Sequence, residues 1–194
     1  MDIEQEQQLL RKAKKSLEAF GELYNYYLPK IYAYVFNRLG DRHAAEDITS
    51  ITFVKAIDNI KKYQDRGQRF GAWLYKIAHN LIIDFFKEHN TFKIYNYDEA
   101  IKSIDDIFAE EDSRLIEKEE NKRMVLEVMR LLPRTYQQIL SLKFFAELEN
   151  EEIAEILNCS KSTLAVKLHR SLNSFKQKFN KIFKQELLLA TIKQ

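Results

Sequence analysis

The sequence predicts an all-α protein made of two small helical domains joined by a linker, and three observations carry that prediction. Only four glycines and two prolines occur in 194 residues, too few for the turns that strand-rich architectures need. Apolar residues recur at helical spacing, most clearly in "GAWLYKIAHNLIIDFFKEH". There Trp73, Ile77, Leu81 and Phe85 stand four apart, with Leu74, Ala78 and Ile82 beside them. Charge is distributed in blocks: residues 1–90 carry +2, residues 91–120 carry −6 and residues 121–194 carry +6. An acidic stretch between two helical parts reads as a connector, giving a first domain over 1–90, a linker over 91–115 and a second domain over 116–194.

The elements follow in order. An amphipathic helix covers 4–27 and runs into "LYNYYLP", with Pro29 in the first turn of the next helix, where its missing N–H costs nothing. Gly40 suits a left-handed C-cap and Asp41 an N-cap. The helix they introduce, over about 42–61, buries Ala45, Ile48, Phe53 (or Thr52) and Ile57. "KYQDRGQRF" breaks the periodicity at Gly67 and reads as a loop. From Asn90 to about Asp112 no period is clear, and the stretch reads as the connector. A helix resumes near Asp112 and ends at Leu132, because Pro133 disfavours helix at the residue before it. Helices at about 134–146, 151–157 and 161–185 complete the chain.

Composition excludes several classes of function. No apolar run approaches the roughly 20 residues of a membrane-spanning helix, and the start, "MDIEQEQQLLRKAKK", is unlike a secretory signal. Cys159 is the lone cysteine, so neither an internal disulfide nor a multi-cysteine metal site is expected. Together these features point to a reduced cytoplasm. His43, His79, His89 and His169 lack metal-ligand spacing, no carboxylate–histidine pair suggests catalysis, and no glycine loop cradles phosphate. No cofactor, metal or enzymatic activity is therefore expected.

The C-terminal part carries "EEIAEILNCSKSTLAVKLHR". Ile153 and Leu157 share one face of a short helix, with the small Ala154 allowing a second helix to approach. Asn158-Cys159-Ser160 forms the turn, since Asn tolerates left-handed geometry and Ser160 can cap the next helix. Stepping ~100° per residue, Leu164, Leu168, Ser171 and Phe175 fall on the buried side. Ser162, Val166, His169 and Arg170 point outward, flanked by Lys161, Thr163 and Lys167. Outward residues of a second helix can meet base edges while neighbouring cations meet phosphates. The competing reading is an ordinary helical hairpin with a solvated basic face. In the N-terminal part, Arg66 and Arg69 precede the aromatic-rich helix, a pattern that can hold single-stranded nucleic acid. Trp73 and the apolar residues at i+4 read better as core, leaving Lys76, Asn80 and Lys87, with the loop, as candidate readers.

Three segments together resemble the extracytoplasmic-function (ECF) sigma factors of bacterial RNA polymerase. "AAEDITSITFVKA" resembles the segment that docks on the polymerase clamp. "RGQRFGAWLYKIAHNLIIDFFK" resembles the promoter-melting segment at Phe70, Trp73, Leu74, Ile77, Ala78, Asn80 and Asp84. "LLPRTYQQILSLKFFAELENEEIAEILNCSKSTLAVKLHRSL" resembles the domain that reads the minus-thirty-five element. The resemblance implies a non-catalytic initiation subunit whose partners are core RNA polymerase, promoter DNA and, by the family's habit, an anti-sigma factor. It implies docking through Glu46, Asp47 and Lys55, and capture of a minus-ten base by Arg66, Gln68, Arg69, Lys76, Asn80 and Lys87. Minus-thirty-five contacts would come from Lys161, Ser162, Thr163, Val166, Lys167, His169 and Arg170.

The chain departs from the family pattern in places. Ser50 and Ile51 stand where a Gln-Glu-like pair is usual, and Ala165 and Leu172 where basic residues are common, so fewer phosphate contacts and a shallower salt dependence are expected. Lys176, Lys178 and Lys181 can compensate. The tail "SFKQKFNKIFKQELLLATIKQ" reads either as an extended recognition helix packing on its own domain or as a basic membrane-surface helix. Two further functional readings stay open at this level: a free-standing helix-turn-helix regulator, and a sigma-like decoy that occupies core polymerase.

Overall fold

The computed structural model describes residues 1–64, 69–89 and 124–192, with side chains described as far as Ile182. All secondary structure among the described residues is helical. The chain separates into two compact units, Met1–Ala109 and Glu110–Gln194. The expected linker over 91–115 lies outside the described residues.

The first unit opens with α1 (Ile3–Ala13), closed at its start by a capping box in which Gln5 N–H donates to Asp2 and Asp2 N–H donates to the Gln5 side chain. The expected single helix over 4–27 is instead broken at Lys14–Ser16. Ser16 accepts from Ala19 N–H and starts α2 (Leu17–Leu39), so a hydroxyl cap outcompetes continuation of the helix. Pro29 does not open a new helix; it lies inside α2. An interior proline costs about 3 kcal/mol. Leu23, Tyr27, Ile31 and Val35 are buried on both sides of it, and burying side chains of this size contributes about 1.5–3 kcal/mol each. Packing holds the helix through the proline.

Gly40 closes α2 in the left-handed region at φ 67°, and Asp41 accepts from Ala44 N–H to start α3 (Arg42–Asn59). Both Thr52 and Phe53 are buried, alongside Ala45 and Ile48, while Ile57 is only half-buried. Thr52 satisfies its hydroxyl by donating to the Ile48 carbonyl, so it can occupy an apolar face. After the connection at 60–69, α4 (Phe70–His89) runs back across the unit. α2 packs on α1, α3 and α4, and α3 packs on α4. The buried stripe of α4 is Leu74, Ala78 and Ile82 with Tyr75 and His79. Trp73, Ile77, Leu81 and Phe85, expected to be its core, are half-buried along the flank. Both stripes have helical spacing, and the choice falls to the one whose small Ala78 admits close approach.

Where three helices of this unit meet, Glu6 is only 4% exposed. It accepts from Tyr27 Oη–H at 2.7 Å and from Gly71 N–H at 3.1 Å. Burial of the Tyr27 phenol, with the carboxylate beside it, pushes its pKa well above the ordinary tyrosine range, so Tyr27 stays a donor. A Cβ at Gly71 would lie 2.7 Å from a Tyr27 ring carbon, which explains the glycine.

In the second unit, helical residues 124–130 end in a turn at Leu131–Leu132 before Pro133; the remainder of the helix expected from Asp112 lies outside the described residues. α5 (Arg134–Leu140) widens into a π-helical turn over Ser141–Phe145. Glu147 then takes a left-handed φ of 54°. α6 (Asn150–Ile156) and α7 (Lys161–Ile192) follow, α7 running past the expected end at 185. Met129, Leu132 and Leu140 form a core cluster on which Val125, Tyr136, Leu168 and Phe175 pack.

Two substitutions test the packing of the first unit. Gly71→Ala should lower its unfolding free energy by about 1–3 kcal/mol through the clash with Tyr27. Gly21→Ala in α2, where an added Cβ meets nothing within 4 Å, should raise it by about 0.5–1 kcal/mol; denaturant titration checks both. Burial, with the Arg38 cation nearby, lowers the His79 pKa from 6.5 to about 4. The unfolded chain therefore takes up a proton between those values that the folded unit refuses, so stability is full above pH 6.5 and falls as pH drops towards 4. Thermal melts of His79→Gln against wild type across that window should show the loss flattened in the variant.

Candidate nucleic-acid interface

α6, its turn and the start of α7 form a helix-turn-helix. Ile153 and Leu164 are fully buried, and Ala154 is 5% exposed between the two helices. Glu152 is buried beneath α6 and accepts from Glu149 N–H at 2.8 Å, closing the start of that helix. Asn158 takes the left-handed conformation at φ 48°. Cys159, half-buried, donates its N–H to the Ala154 carbonyl at 2.9 Å. Ser160 Oγ accepts from Thr163 N–H at 3.1 Å and so caps α7. Ala154, Asn158 and Ser160 take the places expected of them, while Ile156 is buried beside Ile153 where Leu157 was expected, and Leu157 is half-buried.

Ser162, Val166, His169 and Arg170 all face solvent, as do Lys161, Thr163 and Ala165. Leu164 and Ser171 are buried beneath them, Leu168 and Phe175 half-buried against the core. Lys167 is half-buried. The hydroxyls of Ser162 and Thr163 lie 2.9 and 2.8 Å from Ser160 Oγ. Lys161 donates to Glu151 of α6 at 2.7 Å, and that hydrogen bond holds the Glu151 carboxyl below its usual range. The pair is exposed on both sides, where water screens it, so Lys161 can exchange this carboxylate for a phosphate at little cost.

On α4, Lys76, Asn80 and Lys87 fall within one sector of the helix at ~100° per residue. Asn80 and Lys87 are exposed and Lys76 half-buried. Lys87 lies 3.2 Å from Asp84 in an exposed pair. Ile83, 37% exposed, stands between Asn80 and Lys87 in the same sector; in the sequence its apolar side chain is indistinguishable from core. The sector begins at Trp73, whose ring packs on Tyr63 (centroids 4.9 Å) and Phe70 (5.4 Å). Arg69 is half-buried just before the helix. Arg66 and Gln68 lie outside the described residues.

On α3, Glu46, Asp47 and Lys55 are exposed. Glu46 accepts from Arg42 Nε at 2.9 Å, one turn back. Along the same ridge as Asp47 stand Ile51, 43% exposed, and Val54, 57% exposed. In the sequence Ser50 and Ile51 register only as departures from a pattern, and Val54 not at all. Exposed β-branched residues on a helix whose other face is buried are the signal that finds them.

A helix-turn-helix with an exposed polar and basic face, carried in one chain with a separate helical unit, is the arrangement of a modular DNA-binding protein. Residues 23–91 match the Sigma-70 region 2 family and residues 122–174 the Sigma-70, region 4 family. The ECF RNA polymerase sigma factor BldN of Streptomyces coelicolor is 29% identical over 157 residues, covering 81% of this chain and 59% of BldN. The ECF RNA polymerase sigma factor SigW of Bacillus subtilis is 28% identical over 176 residues, covering 87% of this chain and 93% of SigW. The solved sigma factor RpoE of Bartonella quintana, in complex with the anti-sigma factor NepR, covers 83% of this chain and 96% of its own at a TM-score of 0.61 and 17% identity, a likeness in fold. The chain belongs to the ECF sigma factors, the family of subunits that direct RNA polymerase to initiate transcription.

Removing the Ser160 cap gives a direct test of how α7 is held. Ser160→Ala should cost the second unit about 1 kcal/mol, read by denaturant unfolding of the full chain.

Proposed function

We propose that this chain binds core RNA polymerase through the exposed ridge of α3, opens promoter DNA with the α3–α4 connection and the outer sector of α4, and reads the minus-thirty-five element with the start of α7. The observation that carries this reading is the pairing, in one chain, of the exposed face Ser162, Val166, His169 and Arg170 with a separate unit that matches sigma region 2. Glu46, Asp47 and Lys55 dock on the polymerase clamp, with Ile51 and Val54 adding apolar contact. Arg66, Gln68, Arg69, Lys76, Asn80 and Lys87 hold the minus-ten strand. Lys161, Thr163 and Lys167 contact phosphates beside the base-reading face. The chain acts in the cytoplasm without catalysis of its own, and an anti-sigma factor restrains it, as NepR partners the Bartonella relative.

Physical chemistry favours this division of labour. Val166 can touch a thymine methyl and Ser162 can hydrogen-bond to several bases, but the helix offers few fixed donors and binds weakly alone. Extruding a base costs a few kcal/mol, least where the strands are already apart. Tethering to polymerase and to a second DNA site raises the effective concentration of each contact.

Transcription in vitro on a promoter library, with core polymerase and with or without the chain, tests the reading. Specific starts should appear only when the chain is present; their absence sinks it. Asn80→Ala should weaken open-complex formation by about 1–3 kcal/mol while core affinity holds, whereas equal loss of both would make Asn80 a fold residue.

A further inference from the structure

The connection between α3 and α4 is tied at both of its stems to α1, a helix that precedes the residues matching sigma region 2. At the first stem, Lys14 Nζ donates to the Tyr63 carbonyl at 2.7 Å, and the ammonium lies 5.9 Å from the centre of the Tyr63 ring. At the second stem, the buried Glu6 carboxylate accepts from Gly71 N–H at 3.1 Å. Gly71 is the second residue of α4, where N–H groups have no partner within the helix, so a carboxylate from another helix supplies the cap and favourable charge. Tyr27, donating to the same Glu6 oxygen, fixes where that oxygen sits. The two stems also close on each other: the Tyr63 ring packs edge-on against Phe70 at 5.7 Å and tilted against Trp73 at 4.9 Å.

We propose that α1 is a brace for promoter opening, with Glu6 and Lys14 as positioning residues that hold the two stems of the α3–α4 connection at a set separation and orientation. Neither touches DNA. The role rests on the reading of this connection as the minus-ten element's binding region. Stems fixed in place beforehand have less ordering left to lose when a strand binds. The brace therefore acts on strand capture, leaving core docking through α3 untouched. Glu6 is buried and its loss affects folding, but Lys14 is half-buried at the end of α1 and its loss leaves the core intact.

Trp73, the single tryptophan of the chain, sits against the first stem and reports on it directly. The test uses full-length wild type, Lys14→Met, Glu6→Ala and Glu6→Gln, the last keeping an acceptor oxygen in place of the carboxylate. Acrylamide quenching of Trp73 is measured on the free chain. Unfolding midpoint, core affinity and open-complex formation on a duplex promoter are measured beside it. Lys14→Met should make Trp73 more accessible to quencher and form about fivefold fewer open complexes, with core affinity at the wild-type value, the unfolding midpoint lowered only slightly and the chain fully folded at the assay temperature. Glu6→Gln should open promoter better than Glu6→Ala; should Glu6→Ala fail to fold, Lys14→Met decides alone. Wild-type quenching and opening in Lys14→Met overturn the brace, as does a loss of opening matched by an equal loss of core affinity. A wild-type chain that forms no core-dependent open complex overturns the sigma reading beneath it, while the quenching data still show whether the stems are held.

Discussion

A carboxylate withdrawn from water needs donors, and the first unit is arranged around giving Glu6 its two. An unpaired buried charge would cost several kcal/mol, so Tyr27 Oη–H and Gly71 N–H must both reach it. That requirement sets where α1, α2 and α4 cross. It demands a residue without a side chain at position 71, because the Tyr27 ring passes too close for a Cβ. It also starts a chain of ring contacts running from Tyr27 to Phe70, and from Phe70 to Tyr63 and Trp73. The aromatic cluster at the head of α4 is thus the outer end of a polar contact made deep in the unit, and the candidate strand-binding sector begins where that cluster meets solvent.

The second unit solves a different problem. Its helix α7 is held firmly: Leu164 and Ser171 are fully buried, Ser160 caps it, and the turn before it uses an asparagine where left-handed geometry is needed. What it presents is chemically sparse, with Ala165 and Val166 exposed at the centre and Lys161 already engaged with Glu151. Rigid placement of a weakly contacting face suits a protein whose affinity is assembled from several sites, since each tethered contact need only be modest. Strain is tolerated close by. Glu147 holds a left-handed φ of 54° after the π-helical turn, a conformation that costs a residue with a Cβ about 1–2 kcal/mol.

Much of this is legible in the sequence because local chemistry governs it. Gly40 and Asp41, the stop before Pro133, the Asn158 turn and the inward and outward faces of α7 each follow from a residue's own backbone preference or from helical periodicity. The misses share a cause: tertiary packing overrides a local preference. Pro29 ought to begin a helix, yet burial on both sides carries α2 through it. Trp73, Ile77, Leu81 and Phe85 form the bulkier of two apolar stripes, yet the stripe that carries the small Ala78 is the one facing inward. Glu6 looks like an ordinary charge in a polar first helix, since nothing local marks a glutamate whose donors lie 21 and 65 residues away. Ile51 and Val54 show the converse, apolar residues kept at the surface of α3.

The central claim is that this chain grips promoter DNA as a subunit of a larger enzyme and not on its own. Binding of a labelled duplex promoter by the purified chain, measured across a salt series with and without core polymerase, tests it most directly. No specific complex is expected with the chain alone, and a specific, salt-sensitive complex once core is added. Equal specific affinity with and without core would contradict it and make the chain a free-standing DNA-binding regulator.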